Sequence, residues 1–334
     1  MTRTPEPLLV VALGGNALLK RTEPPDMPHQ RANVEVAAAQ LAELAVRHRL
    51  IVTHGNGPQV GLLALQADAS GTQSPLDVLG AETEGMIGYL IEQSLRNRIP
   101  DTTIATLLTQ VLVSPDDRGF ANPTKPIGRV YDETEARRLA HQRGWNIAAD
   151  GDGFRRVVAS PEPREVVEIE TIRLLLASGV IVVCAGGGGI PVVADAHGRL
   201  HGVEAVIDKD LSASLLAQSL DADMLLMLTD VPAVESDWGT PASRAISSAT
   251  PDELRSMRFA SGSMGPKVEA ACRFVDATGS PAAIGSLAEA AAVVSGIAGT
   301  CVRRGPRPYM PATGRRRNRS HITTSNSRPK GRTP

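Results

Sequence analysis

Short apolar runs alternate along the chain with stretches in which apolar residues recur every three or four positions. Residues 8–13 (LLVVAL) form one such run and close on Gly14-Gly15-Asn16, which predicts a strand buried on both faces followed by a turn. Helical spacing over 29–47 (Val34, Ala38, Leu41, Leu44, Ala45) leads to a second short strand at 50–53, ending in His54-Gly55-Asn56-Gly57-Pro58. The same reading predicts helices through Leu62, Leu63 and Leu65, and over 77–98, 166–177, 208–219 and 266–277. Strands fall at 102–108, 180–184, 223–228 and 282–284. Apolar strands separated by helices imply an α/β architecture: a mainly parallel sheet with helices on both faces and the strand-end loops along one edge.

Residues 114–165 break the rhythm. They are rich in proline, aspartate and glycine, with one helix predicted at 133–143 and one short strand at 155–159, and they read as an excursion from the main sheet, a lid or small subdomain. Beyond Gly305 apolar periodicity stops, and residues 304–334 read as a disordered basic tail. No internal repeat is present.

Composition narrows the function classes. Only 3% of residues are aromatic, so the core is built from Ala, Val, Leu and Ile. Formal net charge is −1, but residues 303–334 hold ten basic residues and no acid, leaving −11 on the rest. An acidic body argues against specific nucleic-acid binding, and the tail has no aromatic platform beyond Tyr309. The longest apolar stretch, 180–194, is broken by four glycines and falls short of the roughly 20 residues that span a bilayer. Three scattered cysteines (Cys184, Cys272, Cys301) form no metal or redox motif. The expectation is a soluble protein of the reducing cytoplasm.

Three strands end in glycine-rich turns: Gly14-Gly15-Asn16, Gly55-Asn56-Gly57 and Gly186-Gly187-Gly188-Gly189. Glycine at such turns serves either tight geometry alone or the close approach of backbone N–H groups to an anion. Three on one sheet edge suggest a phosphate site. There is no GxxxxGK[ST] loop, no GxSxG elbow and no ligand spacing among the histidines, and the turn at 55–61 lacks the acidic partner of a dinucleotide fold. His54 is placed for function but equally for a local structural hydrogen bond.

The cations say more. Of 35 basic residues only five are lysines: Lys20, Lys125, Lys209, Lys267 and Lys330. Lys125, Lys209 and Lys267 lie in tight polar contexts, where a compact ammonium suits a point contact with phosphate; the alternative is three solvated surface lysines. Asp208 and Asp210 flank Lys209 at a helix start. They are candidates for N-caps, for holding lysines in place, or for facing Mg²⁺.

These segments, in order, resemble the carbamate kinases of the amino-acid-kinase superfamily. The resemblance is carried by VVALGGNA (10–17), THGNGPQVG (53–61), LTQV (108–111), NPTKPIG (122–128), the glycine run to Val193, GVEAVIDKD (202–210) and GSMGPK (262–267), and it covers about 8–303. It implies an open three-layer αβα sandwich with a small protruding subdomain at 114–165, a homodimer, and reversible transfer from ATP to carbamate with Mg²⁺, run toward ATP in arginine breakdown. It further implies that the N-terminal half, through Gly14, Gly15, Asn16, Gly55 and Asn56, holds the phosphoryl group. Lys125 reaches in from the subdomain, Lys209 and Lys267 neutralise charge, Asp210 orients the lysines, and Thr229, Asp230 and Met264 line the nucleotide pocket with them. No protein metal ligands are implied. Ser261 departs from the family pattern, and residues 304–334 lie outside it. The rival readings are another phosphotransferase of the superfamily and a non-catalytic binding protein; the NPTKPIG segment and the retained lysines argue against them.

Overall fold

In the computed structural model, residues 6–19, 23–24, 26–70, 74–260 and 262–305 are described. Lys20, Ser261 and the tail from 306 onward lie outside them, as does the side chain of Asn16.

An eight-stranded sheet forms the centre. Its order is Ser248–Ala249, Thr300–Val302, Ala282–Ser286, Met224–Thr229, Leu8–Leu13, Arg49–His54, Ile181–Val183, Ile104–Thr106. The first strand shows why its sequence is apolar throughout. Leu8, Val10 and Ala12 enter one core with Ile172, Leu216 and Phe274, whereas Leu9, Val11 and Leu13 enter the other with Val34, Leu41 and Ile91. Side chains alternate across a strand, so a strand covered on both faces has no polar position to spare. Helices Ile169–Ala177, Lys209–Ser219 and Met264–Thr278 cover one face, and Met27–Ala45 and Leu76–Arg98 cover the other. The result is the three-layer αβα sandwich.

Small side chains bring the helices close. Ala213 and Ala217 on one helix and Ala270 and Ala271 on the next are buried, and Ser214 Oγ donates to the Ala270 carbonyl at 2.9 Å. The sheet is parallel except at its far edge, where Thr300–Val302 runs antiparallel to Ala282–Ser286. The strand predicted over 102–108 is confined to Ile104–Thr106. Four further strands, Gln110–Leu112, Glu165–Val166, Ile190–Ala194 and Leu200–Gly202, escape the sequence pattern and form a second sheet.

Between 114 and 165 lies a separate antiparallel sheet of Lys125–Tyr131, Gly153–Val158 and Asn146–Asp150. Helix Glu133–Arg143 packs on it through Ala136 and Leu139, in a cluster with Tyr131, Trp145 and Phe154. The guanidinium groups of Arg143 and Arg156 each stand 5.1 Å from the Trp145 ring centre. The small sheet meets the body where Gly61 faces Gly128: a Cβ on Gly61 would stand 2.4 Å from the Gly128 Cα. That contact brings Lys125, three residues earlier, over the strand ends.

Candidate active site

The parallel strands Leu8–Leu13, Arg49–His54 and Met224–Thr229 end side by side. Their following loops interlock through backbone hydrogen bonds, Gly14 N–H donating to the Leu228 carbonyl at 2.7 Å and Gly55 N–H to the Leu13 carbonyl at 3.0 Å. Glycine at 55 is a requirement of close approach, since a Cβ there would lie 2.9 Å from the Gly15 backbone. Helices Gly57–Ser70, Lys209–Ser219 and Met264–Thr278 begin at the same edge, and their first residues line a cavity of about 1040 Å³. Helix N-termini carry partial positive charge, so their convergence favours a polyanion.

Gly14, Gly15, Gly55, Asn56, Lys125, Lys209, Asp210, Thr229, Asp230, Met264 and Lys267 all line this one cavity. Asp210 is at the centre of the cation cluster. Lys209 Nζ donates to its Oδ1 at 2.5 Å and Lys267 Nζ to its Oδ2 at 3.2 Å. Burial alone would push the Asp210 carboxyl up, but the two ammonium groups outweigh it and hold the group at about 2. Burial, then the neighbouring Lys209 cation, lower Lys267, and Asp210 opposes both. Each lysine side chain is no more than 15% exposed.

Asp208 is occupied differently. Its Oδ1 accepts the Asp210 and Leu211 N–H groups as the N-cap of helix Lys209–Ser219, while its Oδ2 accepts from Lys125 Nζ at 2.6 Å. The cap and the lysine partner are therefore the same residue. Thr229 Oγ1 donates to Asp230 Oδ1 at 3.0 Å on the far side. Met257, Phe259 and Trp238 continue the wall there, with Trp238 73% exposed at the rim.

Outside comparison decides the family. The profile of the amino acid kinase family matches residues 7–286. The carbamate kinase of Haemophilus influenzae is 54% identical over 299 residues, covering 89% of this chain and 96% of that protein. That of Rhizobium meliloti is 54% identical over 300 residues, covering 88% and 92%. The chain belongs to the carbamate kinases. Among solved structures, a carbamate kinase from Giardia lamblia bound to AMP-PNP superposes with a TM-score of 0.82 at 41% identity, covering 89% of this chain and 98% of that one.

Within this carbamate kinase fold, the third glycine turn differs from the other two. Of its four glycines only Gly187 lines the cavity. A Cβ on Gly186 would stand 2.4 Å from the His54 ring, on Gly187 2.1 Å from Asn56 Nδ2, on Gly188 2.6 Å from the Ile207 carbonyl oxygen, and on Gly189 2.5 Å from Val111. Close packing between loops accounts for this run. His54 is buried, its Nδ1 3.3 Å from the Gly55 carbonyl oxygen, and burial lowers it to about 4. A neutral imidazole with no access to the cavity has the structural role.

Glu84 and Thr83 were not singled out by sequence reasoning. The signal was present: Glu84 sits in register with Gly88, Ile91 and Leu95 on the buried stripe of its helix, where a carboxylate is out of place. No group of three His, Cys, Asp or Glu side chains among the described residues is arranged to hold a metal ion, and no helix there is long and apolar enough to cross a membrane.

Proposed function

We propose that the protein catalyses the reversible reaction of carbamoyl phosphate with MgADP to give carbamate and MgATP. The observation that carries the reading is the convergence of three ammonium groups, sorted by two aspartates, on the edge where the glycine loops end. In the direction of ATP synthesis, a β-phosphate oxygen of ADP attacks phosphorus, a new P–O bond forms, and the bond to the carbamate oxygen breaks. Carbamate leaves as an anion. No proton has to be moved, so no general base is required; the charged groups where the glycine loops meet are lysines and their carboxylate partners. Catalysis then rests on bringing two anions together and screening their repulsion.

In this reading the N–H groups of Gly14, Gly15, Gly55 and Asn56, with Asn16, hold the phosphoryl group. Lys209 and Lys267 stabilise charge on the transferred group and the nucleotide, Asp210 fixes both, and Lys125 is delivered by the small sheet acting as a movable cover. Thr229, Asp230 and Met264 bound the nucleotide, so the N-terminal half serves the carbamoyl side and the C-terminal half the ADP side. Asp208 and Asp210 are already engaged with lysines, which leaves Mg²⁺ to enter with the nucleotide phosphates as part of the substrate. We further propose a cytoplasmic homodimer, net ATP synthesis from arginine-derived carbamoyl phosphate, and no catalytic role for the basic tail.

ATP formation from MgADP and carbamoyl phosphate, followed by luminescence, tests the reading. ATP that requires carbamoyl phosphate, is not formed from acetyl phosphate, and is lost in Lys209→Ala supports it. A folded protein that makes none overturns it.

A further inference from the structure

Helix Leu76–Arg98 contributes no residue to the wall of the reaction cavity, yet two adjacent side chains on its buried side govern the loops that do. Thr83 Oγ1 accepts from Asn56 Nδ2 at 2.9 Å. The Glu84 carboxyl group accepts the Gly186 N–H at 2.8 Å through one oxygen and the Thr109 N–H at 3.2 Å through the other. Thr109 Oγ1 in turn accepts the Ala185 N–H at 2.9 Å. The Gly186, Thr109 and Ala185 N–H groups belong to the interior, where an unpaired N–H is costly.

The segment held in this way has an unusual backbone. Ala185 has φ 50°, and Gly187, Gly188 and Gly189 have φ 68°, 106° and 87°. Such a turn keeps its shape only when its surroundings dictate it. Its two sides touch the two halves of the site: Gly187 lies against Asn56, and Gly188 against the Ile207 carbonyl immediately before Asp208 and Lys209. The turn is therefore a spacer between the loop proposed to hold the phosphoryl group and the cations proposed to neutralise it.

We propose that Glu84 is a positioning residue for phosphoryl transfer: by anchoring the 185–189 turn it sets the separation between Gly55-Asn56 and Lys209-Asp210. This rests on the kinase reading above. A buried carboxyl group brings a large desolvation cost, which is offset here by the Gly186 and Thr109 N–H groups that an apolar side chain would leave unpaired. Glutamine cannot replace it fully, since its amide offers one acceptor oxygen and would turn N–H₂ toward the second N–H.

The test uses the full chain as wild type, Glu84→Gln, Thr109→Val, and Glu82→Gln as a control on the exposed side of the same helix. Two readouts are taken: kcat per ADP-binding site, counted by calorimetry, and amide hydrogen exchange at residues 185–189. Glu84→Gln is expected to lower kcat per site about 10-fold or more, as misplaced reacting groups do, with KM for MgADP within about 2-fold and faster exchange in the turn. Thr109→Val should move both readouts the same way by less, and Glu82→Gln neither. A purely structural role would reduce the number of binding sites or the melting temperature while leaving kcat per site unchanged, and that result overturns the proposal. Should Glu84→Gln not fold, Thr109→Val decides by the same criteria. If the wild type itself makes no ATP, the kinase reading fails, and the exchange comparison alone decides: turn protection unchanged in Glu84→Gln and Thr109→Val overturns the anchoring, and protection lost supports it.

Discussion

Two regions supply the cations of the site, and they hold them by different means. Lys209 and Lys267 stand in the first turns of two packed helices of the main body, side chains nearly buried, and share one buried carboxylate. Lys125 starts a strand of the separate three-stranded sheet, is 36% exposed, and has one partner across the cleft in Asp208. The difference teaches that positive charge can be built into a site in two ways. One is fixed before substrate arrives, so no reorganisation is needed at the moment of reaction. The other is carried by the small sheet, which has an apolar cluster around Tyr131, packs on the body through Ile127 and Val158, and in the proposed reaction exchanges its Asp208 contact for substrate.

The comparison breaks first at the fixed pair. Lys209→Ala and Lys267→Ala should each lower kcat by about 10²-fold or more, the scale for losing one preorganised charge donor, measured as ATP formed under saturating substrates. Near-wild-type turnover in both would remove the distinction. Asp210→Asn should follow: it leaves two buried ammonium groups without their counter-ion, at a cost of about 3–5 kcal/mol in unfolding free energy by urea titration. Because folding holds the Asp210 carboxyl near 2, below its unfolded value of 3.8, its contribution is complete above about pH 4 and is lost as pH falls through 2. The wild type's advantage over Asp210→Asn should shrink in that window.

Lys125→Ala sharpens the contrast. If Lys125 arrives with the small sheet, its loss should raise KM for carbamoyl phosphate by about 10-fold and leave the melting temperature within a few degrees, since the buried Asp208 keeps its Asp210 and Leu211 N–H donors. The last test concerns Glu84, whose carboxyl burial raises to about 8 from 4.5. The folded state then retains a proton the unfolded state has lost, so wild-type stability relative to Glu84→Gln should fall as pH rises from about 5 to 8 and level off above. Urea midpoints at pH 5, 7 and 9 check the sign.

The main body was largely legible because its physics is local. Six consecutive apolar residues at 8–13 can only be a strand covered on both sides, and five lysines against thirty arginines drew attention to 125, 209 and 267. The pairing of Lys125 with Asp208, 83 residues apart, depends on how the small sheet docks and leaves no local trace. The four-stranded sheet escaped for a similar reason: its strands are two to five residues long, come from distant segments, and pair at positions such as 165–166 with no apolar run to mark them. Hairpin Val234–Ser236 with Arg244–Ile246 is half polar and equally silent. The run 186–189 read as a phosphate loop because glycine's two uses look alike in a sequence; only the positions of His54, Asn56 and Ile207 separate close packing from anion contact.

The chain has two tryptophans, and they fall one in each of the regions compared. Trp145 is flanked by two guanidinium groups in the small sheet, and Trp238 stands in water at the rim of the cavity. Intrinsic emission is therefore a two-channel signal without any label. Trp145→Phe leaves a spectrum that reports filling of the cavity, and Trp238→Phe leaves one that reports the small sheet, so the order in which nucleotide and cover respond is open to stopped-flow optics on the unmodified backbone.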